Sequence, residues 1–514
     1  MAAITFTKGT EFPFREHKDR LHRYAENMQL FKGEYKDLFD KYNFNPNDSL
    51  YVSLNLAGII CKKSTDMLFG EAVQASAGKK DNSVEQLAID RITNNNYMNI
   101  LNYESGLLAS IKGDSFYKVR WGQEWDGDLP QDIDPSKVIV ESLPAEYCFP
   151  EHSPVNKKKI TKIHVCVPVF NDSTEKWSLA TESHSAGQVL YREFEMSAVS
   201  SDRYGNANSW IIERQIGATL VEQTGISMPL VIHVPNFATD SWEGQDDLSE
   251  HKSIFDEINN RLSQIAAILD KHADPAMAVP AGVLEVDENG NPIFSVNREK
   301  VFEIMGKDDI LPQYVTWNGQ LQHAYSELDR LIENLLAAAE IPEVALGKAG
   351  SGTSGATGVS VRMRMSPLLS KVNRKRQYFD RALKQVYLVA QMLETVADSE
   401  VNYTPVVPVL KFSDGLPRDE MEDAQMAAIR TGSKPTMSQK TAIMFLDGKT
   451  EEQAEAEIER IEAEAGEQQT EGDSELFNQL TGLSAVGDNG SESPDEEESE
   501  EVDEPVPDDS AAKP

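Results

Sequence analysis

A chain of 514 residues that is 40% hydrophobic can bury several cores, and its three cysteines (Cys61, Cys148, Cys166) lack the regular spacing of a disulfide scaffold. A formal net charge of -36 argues against a broad basic face that grips nucleic acid. It does not exclude a wall that merely confines DNA, since weak repulsion lets a polyanion slide.

The charge is uneven. From Glu451 to Pro514 there are 23 acidic and 2 basic residues, a net of -21, which leaves about -15 for the first 450. Few bulky apolar residues stand in that tail, so residues 465–514 are expected to be disordered, with one contact motif around Leu476, Phe477 and Leu480. The opening MAAITFTKGTEFPF lacks a basic-then-apolar leader pattern, and no run reaches the roughly 18 apolar residues of a membrane span. Synthesis in the cytoplasm, with no membrane partner, is the expectation.

In chain order, Leu21, Tyr24, Met28, Phe31 and Tyr35 fall near helical spacing, and Pro46-Asn47-Asp48 form a turn. Residues 51–71 predict an amphipathic helix closed by Gly70 in a left-handed C-terminal position. Further helices are predicted over 84–94 and 100–111. After Gly113 the period changes to two: FYKVRW, KKKITKIHVCVPVF, GQVLYREFEM and SWIIERQ alternate as strands of one antiparallel sheet. Residues 1–240 thus form an α+β domain.

From Asp246 to Lys271, Ile254, Ile258, Leu262, Ile265 and Leu269 lie on one helical face, a rod roughly 39 Å long. A second rod covers 319–340, with Leu321, Leu328, Ile332 and Leu335 as its stripe and Ile341-Pro342 as its end. Between them, residues 273–317 carry two short apolar runs around DENG, a hairpin signal. Neither rod can bury its stripe alone, so they pack on each other and on neighbouring copies.

The stretch GKAGSGTSGATGVS, residues 347–360, reads as a mobile loop. A long helix follows over 359–397, with Pro367 predicting a kink or a start displaced to Ser366. Its segment 362–384 holds eight basic residues (Arg362, Arg364, Lys371, Arg374, Lys375, Arg376, Arg381, Lys384) against one acidic, Asp380. This cationic run suits either an ion-pair belt between subunits or contact with nucleic-acid phosphates. VNYTPVVPVLKF, residues 401–412, is cut by two prolines and reads as an edge strand; three short helices follow up to residue 463.

Enzyme signals fail on inspection. Lys348 directly follows Gly347 and no Lys closes the glycine-rich stretch, so no phosphate-cradling loop is formed. His164 and Cys166 lack the further ligands that zinc needs, and Asp287, Asn289 and Asn291 have neither the sixth-position Gly nor the closing Glu of a calcium loop. No GxSxG motif is present. No cofactor and no catalytic residue is expected.

Four stretches, in order, resemble the portal proteins of long-tailed phages infecting Gram-positive hosts. Residues 49–71, SLYVSLNLAGIICKKSTDMLFGE, are similar to the family's N-terminal helix with its hydrophobic-Phe-Gly-Glu ending. Residues 234–264 resemble the approach to the first stem helix, with Asn236, Gly244, Asp247, Leu248, Asp256 and Asn259 at family-like positions and Asp246 where Ser is common. Residues 314–347 look like the second stem helix and its exit, and 411–446 like the start of the crown.

The resemblance implies a portal fold with wing, stem, clip and crown, two stem helices and a long helix behind a tunnel loop. It places the wing at 1–245, the stem at 246–272 and 318–340, and the clip at 273–317. The tunnel-loop region would be 341–358, the long wing helix 359–397 and a wing strand 398–417. The crown would be 418–463, with the acidic tail at 464–514. Ser351, Thr353, Ser354 and Thr357 would face translocating DNA. The implied assembly is a homododecamer at one capsid vertex of the virion. Its partners would be double-stranded DNA, the terminase large subunit, the head-tail adaptor, and the major capsid and scaffolding proteins. A nuclease or motor subunit, or an elongated scaffold without DNA contact, are the alternatives; the first needs a carboxylate-metal cluster or a full Walker set.

Overall fold

The computed structural model describes residues 4–35, 38, 51–79, 82–125, 129–201, 207–273, 277–280, 301–304, 313–314, 321–348, 358–413, 415, 420–432, 434–447 and 451–464. The chain divides into two compact units, Met1–Asp419 and Glu420–Pro514.

The larger unit opens with β1 (Glu11–Phe12) and α1 (Lys18–Lys32). Then come α2 (Leu56–Phe69), β2 (Gln74–Ser76), α3 (Val84–Asn95) and α4 (Met98–Lys112). Local chemistry fixes the ends of these helices. Asn55 accepts from Gly58 N at 2.9 Å to cap α2, and Ser83 accepts from Gln86 N at 3.2 Å to cap α3. Gly33 (φ 79°) and Gly113 (φ 90°) end α1 and α4 in the left-handed conformation that lacks a penalty only for glycine. Gly70 does not: it caps α2 with φ -63°, and a Cβ there would lie 2.3 Å from the Asp66 carbonyl oxygen. Close approach, not backbone handedness, selects glycine at that position.

The strands that follow form two antiparallel sheets instead of the single expected one. β3 (Asp114–Gly122), β4 (Lys137–Leu143) and β10 (Val231–Pro235) make a three-stranded sheet in the order β10-β3-β4. β5 (Cys148–His152), β6 (Ile160–Asn171), β7 (Lys176–Ser185), β8 (Gln188–Ser201) and β9 (Ala207–Gln223) join β1 in the order β1-β9-β8-β7-β6-β5.

The two expected rods are α5 (Lys252–Ala273), preceded by a 3-10 turn at Ser249–His251, and α6 (Leu321–Ala338). They pack on each other. Phe255, Ile258 and Ile265 of one and Leu328, Leu335 and Leu336 of the other are buried in the main core, and Arg261 reaches Glu327 at 3.3 Å. Leu269, on the same stripe, is 44% exposed. In the intervening segment Met277–Pro280 pairs in parallel with Val301–Ile304 and antiparallel with Gln313–Tyr314. A parallel pair needs a crossover, so these strands are not the two arms of a tight hairpin; the DENG turn lies outside the described residues.

Past α6, Glu340 takes a left-handed φ of 60° and Pro342 forbids continuation of the helix. The expected long helix is two: α7 (Gly358–Arg364), then α8 (Ser366–Ala397) with Pro367 in its first turn, where no backbone donor is missed. Val409–Lys411 pairs with β2 alone, the predicted edge strand.

The smaller unit contains α9 (Glu420–Thr431), α10 (Gln439–Leu446) and a helix over 451–464. Ser438 caps α10 by accepting from Thr441 N at 3.1 Å, and Lys440 bridges Glu451 (2.9 Å) and Glu455 (2.6 Å). Among the described residues of this unit the buried side chains are Ala427, Ala442 and Ala454, while Met421 and Ile429 stand over 70% exposed.

Candidate functional site

Helix α8 lies across the three-stranded sheet and against α2, and it buries Leu368, Val372, Phe379, Leu383 and Val386. These positions recur at helical spacing. Lys371 and Lys375 occupy the same stripe, at 7% and 2% exposure. The eight basic residues therefore do not form one surface.

Asp247 is the reason two lysines can be buried. Lys375 Nζ donates to Asp247 Oδ2, to Ser64 Oγ and, at 2.8 Å, to Ser110 Oγ. Lys371 Nζ lies 3.3 Å from Asp247 Oδ1 and donates to the Ala339 carbonyl at 3.1 Å. Burial alone would raise the Asp247 carboxyl; the two ammonium groups and the bonds from Lys375 and Ser110 outweigh it and hold the group well below the usual carboxylate range. Burial pulls Lys375 down from its ordinary value, with Asp247 opposing. The knot joins the end of α4, the approach to α5, the exit of α6 and α8.

The backbone around Asp247 explains the motif that leads into α5. Asn236, fully buried, donates to the Gln245 carbonyl (3.0 Å) and to Asp247 (3.2 Å). Asp246 accepts from Leu248 N (2.9 Å) and Ser249 N (2.6 Å), satisfying backbone donors at the approach to α5. Asn259 accepts from Leu54 N at 2.8 Å, tying α5 to the segment before α2. Gly244 and Gly113 meet back to back: a Cβ on Gly244 would sit 1.9 Å from the Gly113 carbonyl oxygen. Gly244→Ala is expected to destabilise the larger unit by about 1–3 kcal/mol, read as a lower urea midpoint. An unchanged midpoint would show that the backbone there gives way.

The other cations differ in role. Arg374 pairs with Glu340, the residue held at positive φ. Arg376 donates to the Ser413 carbonyl (2.8 Å) and lies 5.4 Å over the Phe412 ring, while Lys384 pairs with Asp380 at 2.7 Å. Arg362, Arg364 and Arg381 are exposed. Ser351, Thr353, Ser354 and Thr357, the predicted DNA-facing loop, lie outside the described residues, as do Asp287, Asn289, Asn291 and the acidic tail. His164 bonds Ser183 (2.8 Å) and Glu151 (3.0 Å), and Cys166 is enclosed in the core with Phe12, Phe14 and Phe149.

Among the described residues no three His, Cys, Asp or Glu side chains are grouped to hold a metal, and no helix is long and apolar enough to cross a membrane. The charged groups gathered around Asp247 are paired within the subunit and hold α4, α5, α6 and α8 together, a structural arrangement. The chain belongs to the phage portal proteins: residues 11–471 match the family described as phage portal protein, SPP1 Gp6-like. It is accordingly a channel-forming structural component of the virion. No curated protein matches it.

Proposed function

We propose that twelve copies of this chain form a ring at one capsid vertex, through which double-stranded DNA is packaged and later ejected. The family match carries the reading, and the packed pair α5 and α6, bracketing residues 274–320, supports it. In this reading residues 246–272 and 318–340 are the stem, and 273–317 are the clip that meets the terminase large subunit during packaging and the head-tail adaptor afterwards. Residues 1–245 and 398–417 are the wing, 418–463 the crown, and the major capsid and scaffolding proteins surround the ring during shell assembly.

Twelve copies carry about -430 by formal charge, which disfavours capture of stray DNA and keeps sliding cheap. Against that background the small side chains Ser351, Thr353, Ser354 and Thr357 adjust to the passing duplex. Arg362 and Arg364, exposed just beyond them, meet its phosphates in passing. Lys371 and Lys375 are spent within the subunit and take no part.

Electron micrographs of the purified protein test the ring: closed particles with a central hole are expected, and compact single chains at every concentration would overturn it. Deleting residues 350–357 is expected to leave rings intact and shorten the packaged DNA. Full-length packaging by such rings would remove the loop from the mechanism.

A further inference from the structure

A cavity of about 340 Å³ opens beside α8, where the start of β6, β10 and the turn near 238–242 come together. Buried Val231 and Trp242 line its inside. Lys158, Lys159 and Lys162 approach from the strand, and Arg381 from the helix on the same face as Tyr378 and Gln385. None of these four cations makes an ion pair or a side-chain hydrogen bond among the described residues. By contrast, Lys371, Arg374, Lys375 and Lys384 of α8 are all paired. Three residues before Lys158 stands Val155, 94% exposed.

A cationic rim around an apolar interior selects a ligand that is acidic outside and apolar at one point. Duplex DNA matches the rim and has nothing to place inside; its phosphates lie on a convex surface. The cavity admits one bulky side chain with its neighbours, which an extended acidic peptide offers. The acidic polymer present at every assembly step is this chain itself, at -36 per copy. We infer that this cavity receives an acidic segment, anchored by one apolar side chain, from a neighbouring copy. A ring needs such a contact to be heterologous, one patch against a different one. The inference rests on the ring reading above.

Carbodiimide cross-linking, which joins lysine amines to carboxylates only in direct contact, tests it on an equal mixture of unlabelled and ¹⁵N-labelled full-length protein. Mixed-isotope peptides joining Lys158, Lys159 or Lys162 to an Asp or Glu are expected. Their yield should fall at least tenfold in K158E/R381E, two exposed positions whose reversal leaves the core untouched, and should fall again on raising the salt. Rings without mixed-isotope cross-links at these lysines would sink this inference alone. Absence of both rings and cross-links would sink it together with the ring. Protection of the same lysines from acetylation by a DNA duplex, and not by protein concentration, would reassign the cavity to DNA.

Discussion

Asp247→Asn is expected to cost the larger unit about 3–5 kcal/mol, among the largest effects of any single substitution outside the apolar core. The side chain keeps its shape, so the loss is electrostatic. One carboxylate now faces two ammonium groups, Lys371 and Lys375, both buried. Removing it leaves two cations with no counter-charge, and at least one must give up its proton or draw in water. Lys375→Met tests the sign of this account. It leaves Asp247 and Lys371 as a balanced pair and places an apolar chain in an apolar stripe, so it is expected to cost clearly less than Asp247→Asn. Urea midpoints of the two variants at pH 7 decide the matter. Equal losses, or a larger loss for Lys375→Met, would mean that Lys371 and Lys375 are held by packing and not by the carboxylate.

The lysine stripe shows what the sequence disclosed and what it hid. Helix α8 with its start at Ser366, the two striped rods and an edge strand within 401–412, found at 409–411, follow from spacing and proline chemistry. Eight basic residues in one run look like a surface because hydropathy counts a paired, buried lysine the same as a solvated one. The signal was nonetheless present, since 368, 372, 375, 379, 383 and 386 step by threes and fours. The partner was not, for Asp247 lies over a hundred residues away.

β7 was passed over for a related reason. Thr181, Ser183 and His184 are buried polar residues, Thr181 Oγ1 donating to the Arg192 carbonyl and Ser183 Oγ bonding His164, so no apolar alternation marks the strand. The division into two sheets rests on β10 pairing with β3 across more than a hundred residues, and periodicity carries no information about pairings so remote.

Acid should find the weak point of the second core. His17 is 1% exposed, its ring edge-on to Phe149 at 5.2 Å, and its Nε2 has no hydrogen-bond partner. Burial, then the Arg20 guanidinium, then His164 and His152 on β6 and β5, lower its pKa from 6.5 to about 3. A base whose folded value is depressed takes up its proton first in the unfolded chain. Stability from this group is therefore full above pH 6.5 and declines as pH falls toward 3, by up to about 1.4 kcal/mol per pH unit.

Between pH 7 and pH 5 that amounts to about 2 kcal/mol from one side chain. The window lies above the ordinary carboxylate range, so the Asp247 knot keeps its charge throughout it. His17→Phe removes the titrating group while keeping an aromatic ring beside Phe149 and Trp242. Whatever it costs in packing is the same at both pH values. The loss of stability on going from pH 7 to pH 5 should thus be smaller by about 2 kcal/mol in the variant than in the parent chain. Parallel losses in the two proteins would mean that the buried imidazole gains its proton without opening the core, and that acid sensitivity lies elsewhere.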